Sequence, residues 1–596
     1  MIPRLAIVIL GWSALAGIGE AWSGEPKNQT PTATDGETVD LPRIEVVESK
    51  PLPPPETWRY ARIQGFEVLS NASDRATARL LTDFQRFHQA LEIAWPAAQT
   101  PNTLPAALIL CGRGGKFEVF KPAKDTGVDS GLITVSYRDD ESAAIVVDLE
   151  TTTLNLLTPE AMDQALAAAE ASFTASADDP PTGRAPSDFI VDHYKQLYRE
   201  YIHFVLSRAQ PRAAAWLEEG LAQIFMRMEY SSKWIIVGRV EDPNRKSAID
   251  GAIEDRDFNV MLQRRALIPL AEMFAVAHDS PIAQHPVGSV WAKQCYAFVH
   301  FCLYGNKGRL QKQFFTFITR AGSEPITEAM FKECFGESMS SVLTELRGYI
   351  EYTTYKSTEF HAKKGVEIPE PPKVEFRDAT QAEIGRIKGE ALRLAGKKDA
   401  ARDALVAPYV RGERDPQLLA ALGIFEQSQG DEGRARKFLE AAAAAKVYRP
   451  RAYLSLAQLR YTDALAADGG QEGKLTADQV MQILRPLFTA RSQPPPLPEV
   501  YGLIADVWAH SAVIPKHENL EVVLEGARLF FRRPEFLYHV ASLMNQYGYK
   551  NDVRVLANVG LQVTTDATLR DRFAALKIAA GPAPEPAVPA PAPVPK

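Results

Sequence analysis

Apolar and polar positions along this chain change rhythm twice. Between Trp58 and Leu149, short apolar runs surround one helical stretch. Phe66-Glu67-Val68-Leu69 reads as a strand, and Asp74–Ile93 places Leu80, Leu81, Phe84, Phe87 and Leu91 at helical spacing. Ala106–Leu110 predicts a short buried strand, and so does Trp234-Ile235-Ile236-Val237. Gly131–Tyr137 and Ala143–Leu149 flank the polar turn Arg138–Ser142 and predict a hairpin. From Pro159 the spacing is mostly helical, broken by an Ala-, Asp- and Pro-rich loop at Ala175–Pro186. A small mixed sheet followed by helices indicates an α+β domain.

After Tyr355 the rhythm changes. A joint, Ile368-Pro369-Glu370-Pro371-Pro372, leads into alanine-rich helices with an internal period. Gly389 and Gly423 are 34 residues apart, as are Gly396 and Gly430, Ala401 and Ala435, and Leu405 and Leu439; Ala457 lies another 34 beyond Gly423. Small residues at these positions let two antiparallel helices pack closely, and Gly430 breaks the chain between them. The pattern resembles the tetratricopeptide repeat, and Pro534–Gly560 fits the same template through Ala541 and Gly548. An insertion near Asp468–Asp478 and a proline run at Pro494–Pro496 disturb the middle repeats. Such hairpins cover one another's apolar faces, so roughly four of them predict an all-α solenoid.

The ends differ from both regions. Arg4 followed by the apolar run Leu5–Gly19 and Ala21-Trp22-Ser23 predicts a secretory signal cleaved near Ser23, with an uncleaved anchor as the alternative. No cysteine precedes Cys111, which argues against a lipid-attached N-terminus. Gly24–Glu56 predicts an extended Pro-rich and acidic tether, and 581–596 a Pro/Ala-rich tail. The predicted order is therefore signal 1–23, tether 24–56, α+β domain 57–355, linker 356–378, helical repeats 379–580 and tail 581–596. The expected location is periplasmic or extracellular, with no membrane span in the mature chain.

Composition narrows the function. The 596 residues carry 67 basic and 74 acidic side chains, a net charge of -7 that gives no basic surplus for nucleic acid. Four cysteines are too few for a disulfide framework. Cys295 and Cys302 stand about 10 Å apart on a predicted helix, too far to bond each other, although either could meet Cys334. Buried free thiols are the expectation. Gly112-Arg113-Gly114-Gly115-Lys116 lacks phosphate-loop spacing, and no Gly-x-Ser-x-Gly elbow occurs. Asn28-Gln29-Thr30 and Asn71-Ala72-Ser73 fit a glycosylation acceptor pattern, relevant only in a eukaryotic secretory host.

The candidate chemistry lies between Asp192 and Tyr230. Ile190–Leu206 predicts a helix with Tyr194, Leu197, Tyr198, Tyr201 and Val205 inward and a polar stripe of Gln196, Arg199, Glu200, His203 and Ser207 beside it. A second helix carries Trp216-Leu217-Glu218-Glu219-Gly220-Leu221-Ala222. This arrangement resembles the gluzincin metallopeptidases, and among them the peptidase-MA-like domains of exported bacterial proteins. Gly65–Asn71, Ile268-Pro269-Leu270, Trp291–Leu303, Phe335-Gly336 and Leu346–Tyr349 extend the likeness over about Trp58–Tyr355. It implies a gluzincin-like domain with His203 and Glu219 as metal ligands and Glu200 as the general base that activates a zinc-bound water. It also implies a histidine one turn before His203, where this chain has Arg199.

Arginine offers five donors and no lone pair, and it stays charged, so it cannot replace an imidazole ligand. The expectation is an ion-paired pseudo-site, Arg199 with Glu219 or Glu200, holding no cofactor. Two alternatives stay open. In one, zinc binds through His203, Glu219 and a donor from elsewhere, with His193, His300 and His361 as the nearby histidines, of which His193 lies nearly three turns away along the helix. In the other, Glu200 and His203 belong to an ordinary solvated helix face. The predicted role is a non-catalytic scaffold whose repeats hold a peptide or protein partner. Its rivals are an active zinc metallopeptidase and a purely structural cell-envelope scaffold.

Overall fold

The computed structural model describes residues 41–43, 52–63, 65–96, 106–122, 133–151, 153–154, 189–190, 192–207, 212–240, 257–284, 289–322, 325–352, 354–362, 368–467, 474–564 and 566–581. The expected signal, the loop at 175–186, nearly all of the tail and most of the tether lie outside them. Within them no helix is long and apolar enough to cross a membrane. The chain divides into two compact units, 1–35 with 44–414 and 36–43 with 415–596.

The first unit is built on a six-stranded mixed sheet. Its strands are β1 (Arg59–Ile63), β2 (Phe66–Ser70), β3 (Ala106–Cys111), β4 (Thr134–Arg138), β5 (Ala143–Asp148) and β11 (Arg377–Asp378), in the order β11-β1-β2-β3-β5-β4. β2, β3 and β5 run parallel, and the other pairings are antiparallel. Central parallel strands are apolar on both faces because both faces are covered. Val68, Leu108, Leu110, Ile145 and Val147 join the core with α1 (Asp74–Ala94), whose Leu80, Leu81, Phe84, Phe87 and Leu91 are the inward set. The alternate residues Leu69, Ile109 and Val146 are buried too. The helix α11 (Gln381–Leu394) packs against β3, β4 and β5.

That packing corrects two boundaries. The segment 356–378, expected to be a linker, supplies β11 to the sheet edge and β10 (Thr358–His361) to a small sheet with β8 (Glu229–Tyr230) and β9 (Trp234–Val237). The first helical hairpin, α11 with α12 (Lys398–Val410), belongs to the first unit rather than to the solenoid. Arg386 grips both carboxylate oxygens of Glu67 at 2.9 and 2.8 Å, and Arg393 holds Asp139 at 2.7 Å. Helical periodicity cannot reveal which surface a hairpin covers.

Two helices position the candidate site. The helix α2 (His193–Leu206) starts where Asp192 accepts from the amides of Tyr194 and Lys195, and Phe189–Ile190 before it forms β7, paired with β6 (Thr153–Leu154). Tyr198 stacks on Phe87 with ring centroids 3.9 Å apart, and Tyr201 meets Phe84 edge-on at 5.1 Å. The helix α3 (Ala215–Phe225) is buried at every residue, and Trp216 sits among Phe274, Phe298 and Phe317. Gly220 explains the close approach of α3 to α7 (Val290–Tyr304). A Cβ there would lie 2.5 Å from Val299 Cγ2 and 2.8 Å from the Cys295 carbonyl. The helices α4 (Phe258–Met261), α5 (Leu270–Ala275), α6 (Pro281–Gln284), α8 (Gln311–Ala321), α9 (Glu328–Phe335) and α10 (Met339–Ile350) complete the unit. All four cysteines are buried, and none forms a disulfide.

The second unit is an array of antiparallel helical hairpins: α13 (Pro416–Ser428) with α14 (Glu432–Ala444), α15 (Pro450–Ala466) with α16 (Ala477–Arg491), α17 (Pro498–Ala509) with α18 (His517–Leu529), and α19 (Pro534–Gln546) with α20 (Lys550–Val563), followed by α21 (Ala567–Ala580). A proline stands in the first turn of the leading helix in all four hairpins, where a missing N–H costs nothing. The 34-residue period is physical. A Cβ on Gly389 would lie 2.5 Å from Leu405 Cγ, and one on Gly423 would lie 2.6 Å from Leu439 Cγ. The same crossing therefore recurs one period apart, in the hairpin of the first unit and in the first of the second. Gly396, Gly430 and Gly548 each turn the chain with φ of 72°, 84° and 78°. The result is a tetratricopeptide-like helical array.

Candidate functional site

The polar stripe of α2 is buried, not solvated: Arg199 is 6% exposed and Glu200 8%. It faces β4 on one side and α3 on the other. Taking two charges out of water costs several kcal/mol each unless partners with good geometry compensate. Those partners are present. Arg199 Nη1 donates to Glu200 Oε1 at 2.5 Å, and its other edge forms a fork on Glu219, Nη2 to Oε2 at 2.5 Å and Nε to Oε1 at 3.4 Å. Ser136 Oγ, from β4, donates to Glu200 Oε2 at 2.6 Å. Both oxygens of Glu200 are thus engaged.

His203 and Glu219 meet directly, Nε2 to Oε2 at 3.1 Å, and His203 Nδ1 lies 3.7 Å from Glu218 Oε2. Gln223, one turn beyond Glu219, donates to its Oε1 at 2.8 Å. The cluster continues outward. Arg212 forks onto Glu218 at 2.8 Å through both Nε and Nη2, and His278 Nε2 lies 3.3 Å from Glu218 Oε2. On the far side, Lys293 Nζ donates to Gln223 Oε1 at 3.4 Å, Arg227 donates to the same oxygen at 2.6 Å, and Arg227 pairs with Asp257 at 2.5 Å. Lys293 is 1% exposed.

The charges bias one another. Burial pushes the Glu219 carboxyl up, but Arg199 and His203 outweigh it and hold it well below the usual carboxylate range. Glu218 is likewise held low against burial by His203, His278 and Arg212. Burial and the Arg199 charge disfavour protonated His203, yet Glu218 and Glu219 outweigh both and raise its pKa to about 9. The paired carboxylates therefore favour the protonated, cationic form of His203.

In this arrangement the donors that the resemblance nominates are bonded to Arg199 and to one another. A catalytic zinc needs three N/O/S ligands and an open position. Here Arg199 stands one turn before His203 with its guanidinium bonded between the two carboxylates. Among the described residues, no group of three or more His, Cys, Asp or Glu could hold a metal ion. The three other histidines considered from sequence have other surroundings. Both ring nitrogens of His300 are committed, Nδ1 to Tyr349 Oη at 2.8 Å and Nε2 to the Gly238 carbonyl at 2.7 Å, and burial lowers its pKa to about 4. His361 is an exposed residue of β10, 3.4 Å from Glu359. His193 opens α2, and burial lowers its pKa.

Sequence reading missed Ser136, Gln223, His278 and Lys293. Ser136 and His278 carry no local signal, since each reaches the cluster only through the fold. Gln223 does carry one: it follows Glu219 at i+4 on the same helix face. What the arrangement offers chemically is a compensated run of charges, with carboxylates alternating with Arg199, His203, Arg212 and Arg227.

No protein-family model matches the chain, and no curated protein matches it. Among solved structures, the crystal structure of a thermophilic TPR protein in Thermus thermophilus aligns at a TM-score of 0.25 with 18% identity, over 33% of this chain and 100% of that one. A likeness at that score carries no argument, so the repeat assignment rests on the recurring glycine–leucine crossing described above.

Proposed function

We propose that this chain is an exported, metallopeptidase-like protein without peptidase activity, serving as a peptide- or protein-binding scaffold through its helical repeats. One observation carries the non-catalytic half: the Arg199 guanidinium is bonded to both Glu200 and Glu219, the residues that the gluzincin resemblance nominates as base and ligand. A peptidase of that kind generates its nucleophile on the metal. In this chain a permanent cation takes the ligand's place, and Glu200 is tied to Arg199 and Ser136. The scaffold half is supported by the hairpin array, because stacked hairpins present a long surface suited to extended partners. The apolar N-terminal run after Arg4 supports export.

Elemental analysis of chelator-free full-length protein, alongside its Arg199→His variant and a peptide-library cleavage assay, tests the first half. The expected result is no stoichiometric zinc and no cleavage in the unmodified protein, with zinc gained by the variant. One zinc per unmodified chain, with chelator-sensitive cleavage, would establish the active enzyme instead. For the second half, pull-downs compare the full chain with one ending at Arg414. Partners lost on truncation assign binding to the repeats, and partners retained assign it to the first unit.

A further inference from the structure

The proline-rich segment preceding β1 is bound to the first helical hairpin. Arg411 of the α12 end donates to the Pro53 carbonyl, and Gln381 Nε2 donates to the Glu56 carbonyl at 2.8 Å. The Glu56 carboxylate is held from three directions: Lys388 Nζ at 2.7 Å, Lys116 Nζ at 2.9 Å and Trp58 Nε1 at 2.6 Å. Burial opposes its charge, but Lys388, Trp58 and Lys116 outweigh burial and hold its pKa at about 2. Pro53 and Pro54 form one wall of a cavity of about 450 Å³, faced by Ile384, Ala404, Ala407 and Pro408.

These are the parts needed to recognise an extended proline-rich peptide. Prolines pre-set the extended conformation, so little chain entropy is lost on docking against an apolar wall. Their carbonyls have no partner within the peptide and require side-chain donors, which Arg411 and Gln381 supply. A carboxylate fixes the register against Lys388 and Lys116. The segment 52–56 meets each requirement but leaves the cavity unfilled, and Pro54 and Pro55 remain exposed.

We propose that the α11–α12 hairpin is a receptor for extended proline-rich peptides bearing a glutamate, occupied in cis by Leu52–Glu56 and opened when a partner segment of the same chemistry displaces that strap. The proposal stands on contacts within the first unit and is independent of the reading of Arg199. A tethered segment competes at an effective concentration on the order of millimolar, which weakens a free peptide of about 0.1 mM affinity by about tenfold.

The test uses a fluorescein-labelled peptide of residues 50–57, Lys-Pro-Leu-Pro-Pro-Pro-Glu-Thr, titrated by anisotropy against three full-length proteins. These are the unmodified chain, the strap variant Pro53→Gly/Glu56→Gln, and that variant with Lys388→Ala and Arg411→Ala added. The expected result is binding to the strap variant at least about tenfold tighter than to the unmodified chain, abolished by the two further substitutions. No binding to the strap variant, equal binding to the first two proteins, or binding indifferent to Lys388 and Arg411 would each overturn it. The indole N–H of Trp58, which donates to Glu56 Oε2, gives a readout that needs no variant. Saturating unlabelled peptide on the unmodified chain should shift its NMR resonance, and an unmoved resonance would contradict displacement.

Discussion

The two units bury opposite things. Around α2 and α3 the first unit encloses a run of charged groups, each surrounded by partners of opposite sign, and its sheet is closed by helices from distant parts of the chain. The second unit buries alanine, glycine and leucine, and each hairpin leans mainly on its neighbours. A buried charge network is unforgiving, because removing one member leaves the others unpaired in a poor solvent for ions. A repeat array spreads its stability over similar local interfaces. Substitutions should therefore act as all-or-none events in the first unit and as graded ones in the second.

The sharpest way to break this contrast is truncation. A chain ending at Asp378 lacks α11, which packs on β3, β4 and β5, whereas one ending at Arg414 keeps it. Expression of both should give soluble, cooperatively unfolding protein only for the longer one. Equal behaviour would show that the hairpin is no part of the first unit's core. Next in size is Arg199→Ala, which leaves Glu200 and Glu219 without their shared cation. Urea unfolding should show a loss of about 3–5 kcal/mol, and a loss below about 1 kcal/mol would mean that the network is solvated after all. Leu439→Ala removes the side chain that packs on Gly423. It should cost about 2–4 kcal/mol, confined to the unfolding step of the second unit. Loss of first-unit structure in the same step would contradict the separation.

A pH dependence tests the same network without a large substitution. His203 has a folded-state pKa near 9, above its ordinary 6.5. Its protonation therefore stabilises the fold fully below about pH 6.5, and that contribution drains away as pH rises through about 9. Melting temperatures recorded over this window should fall for the unmodified protein more than for His203→Gln. Parallel curves would remove His203 from the charge network.

What could be read in advance follows from the same contrast. Local period and small-residue spacing expose the repeats, since Gly389, Gly396, Leu405 and their counterparts 34 residues on make contacts within one hairpin. Strands β2, β3 and β5 were legible because both faces are covered and their runs are apolar. The helix α2 was legible, but the burial of its polar stripe was not, because a charged stripe looks the same facing water or facing an opposing stripe on α3. Ser136 and His278 reach the cluster across the fold and leave no trace in spacing. The strands β10 and β11, short and edge-placed, have no periodicity long enough to register, so the segment between Tyr355 and Gln381 read as a joint.

What lies beside the His203–Glu219 pair, the Arg199 guanidinium or a metal ion, decides whether this site is catalytic. Anomalous scattering at the zinc edge, measured on crystals of the unmodified protein grown with excess zinc, addresses that position directly. The account predicts featureless anomalous density there, with the Arg199 guanidinium resolved between the carboxylates of Glu200 and Glu219. A full-occupancy anomalous peak coordinated by His203 and Glu219, with Arg199 swung away, would contradict it.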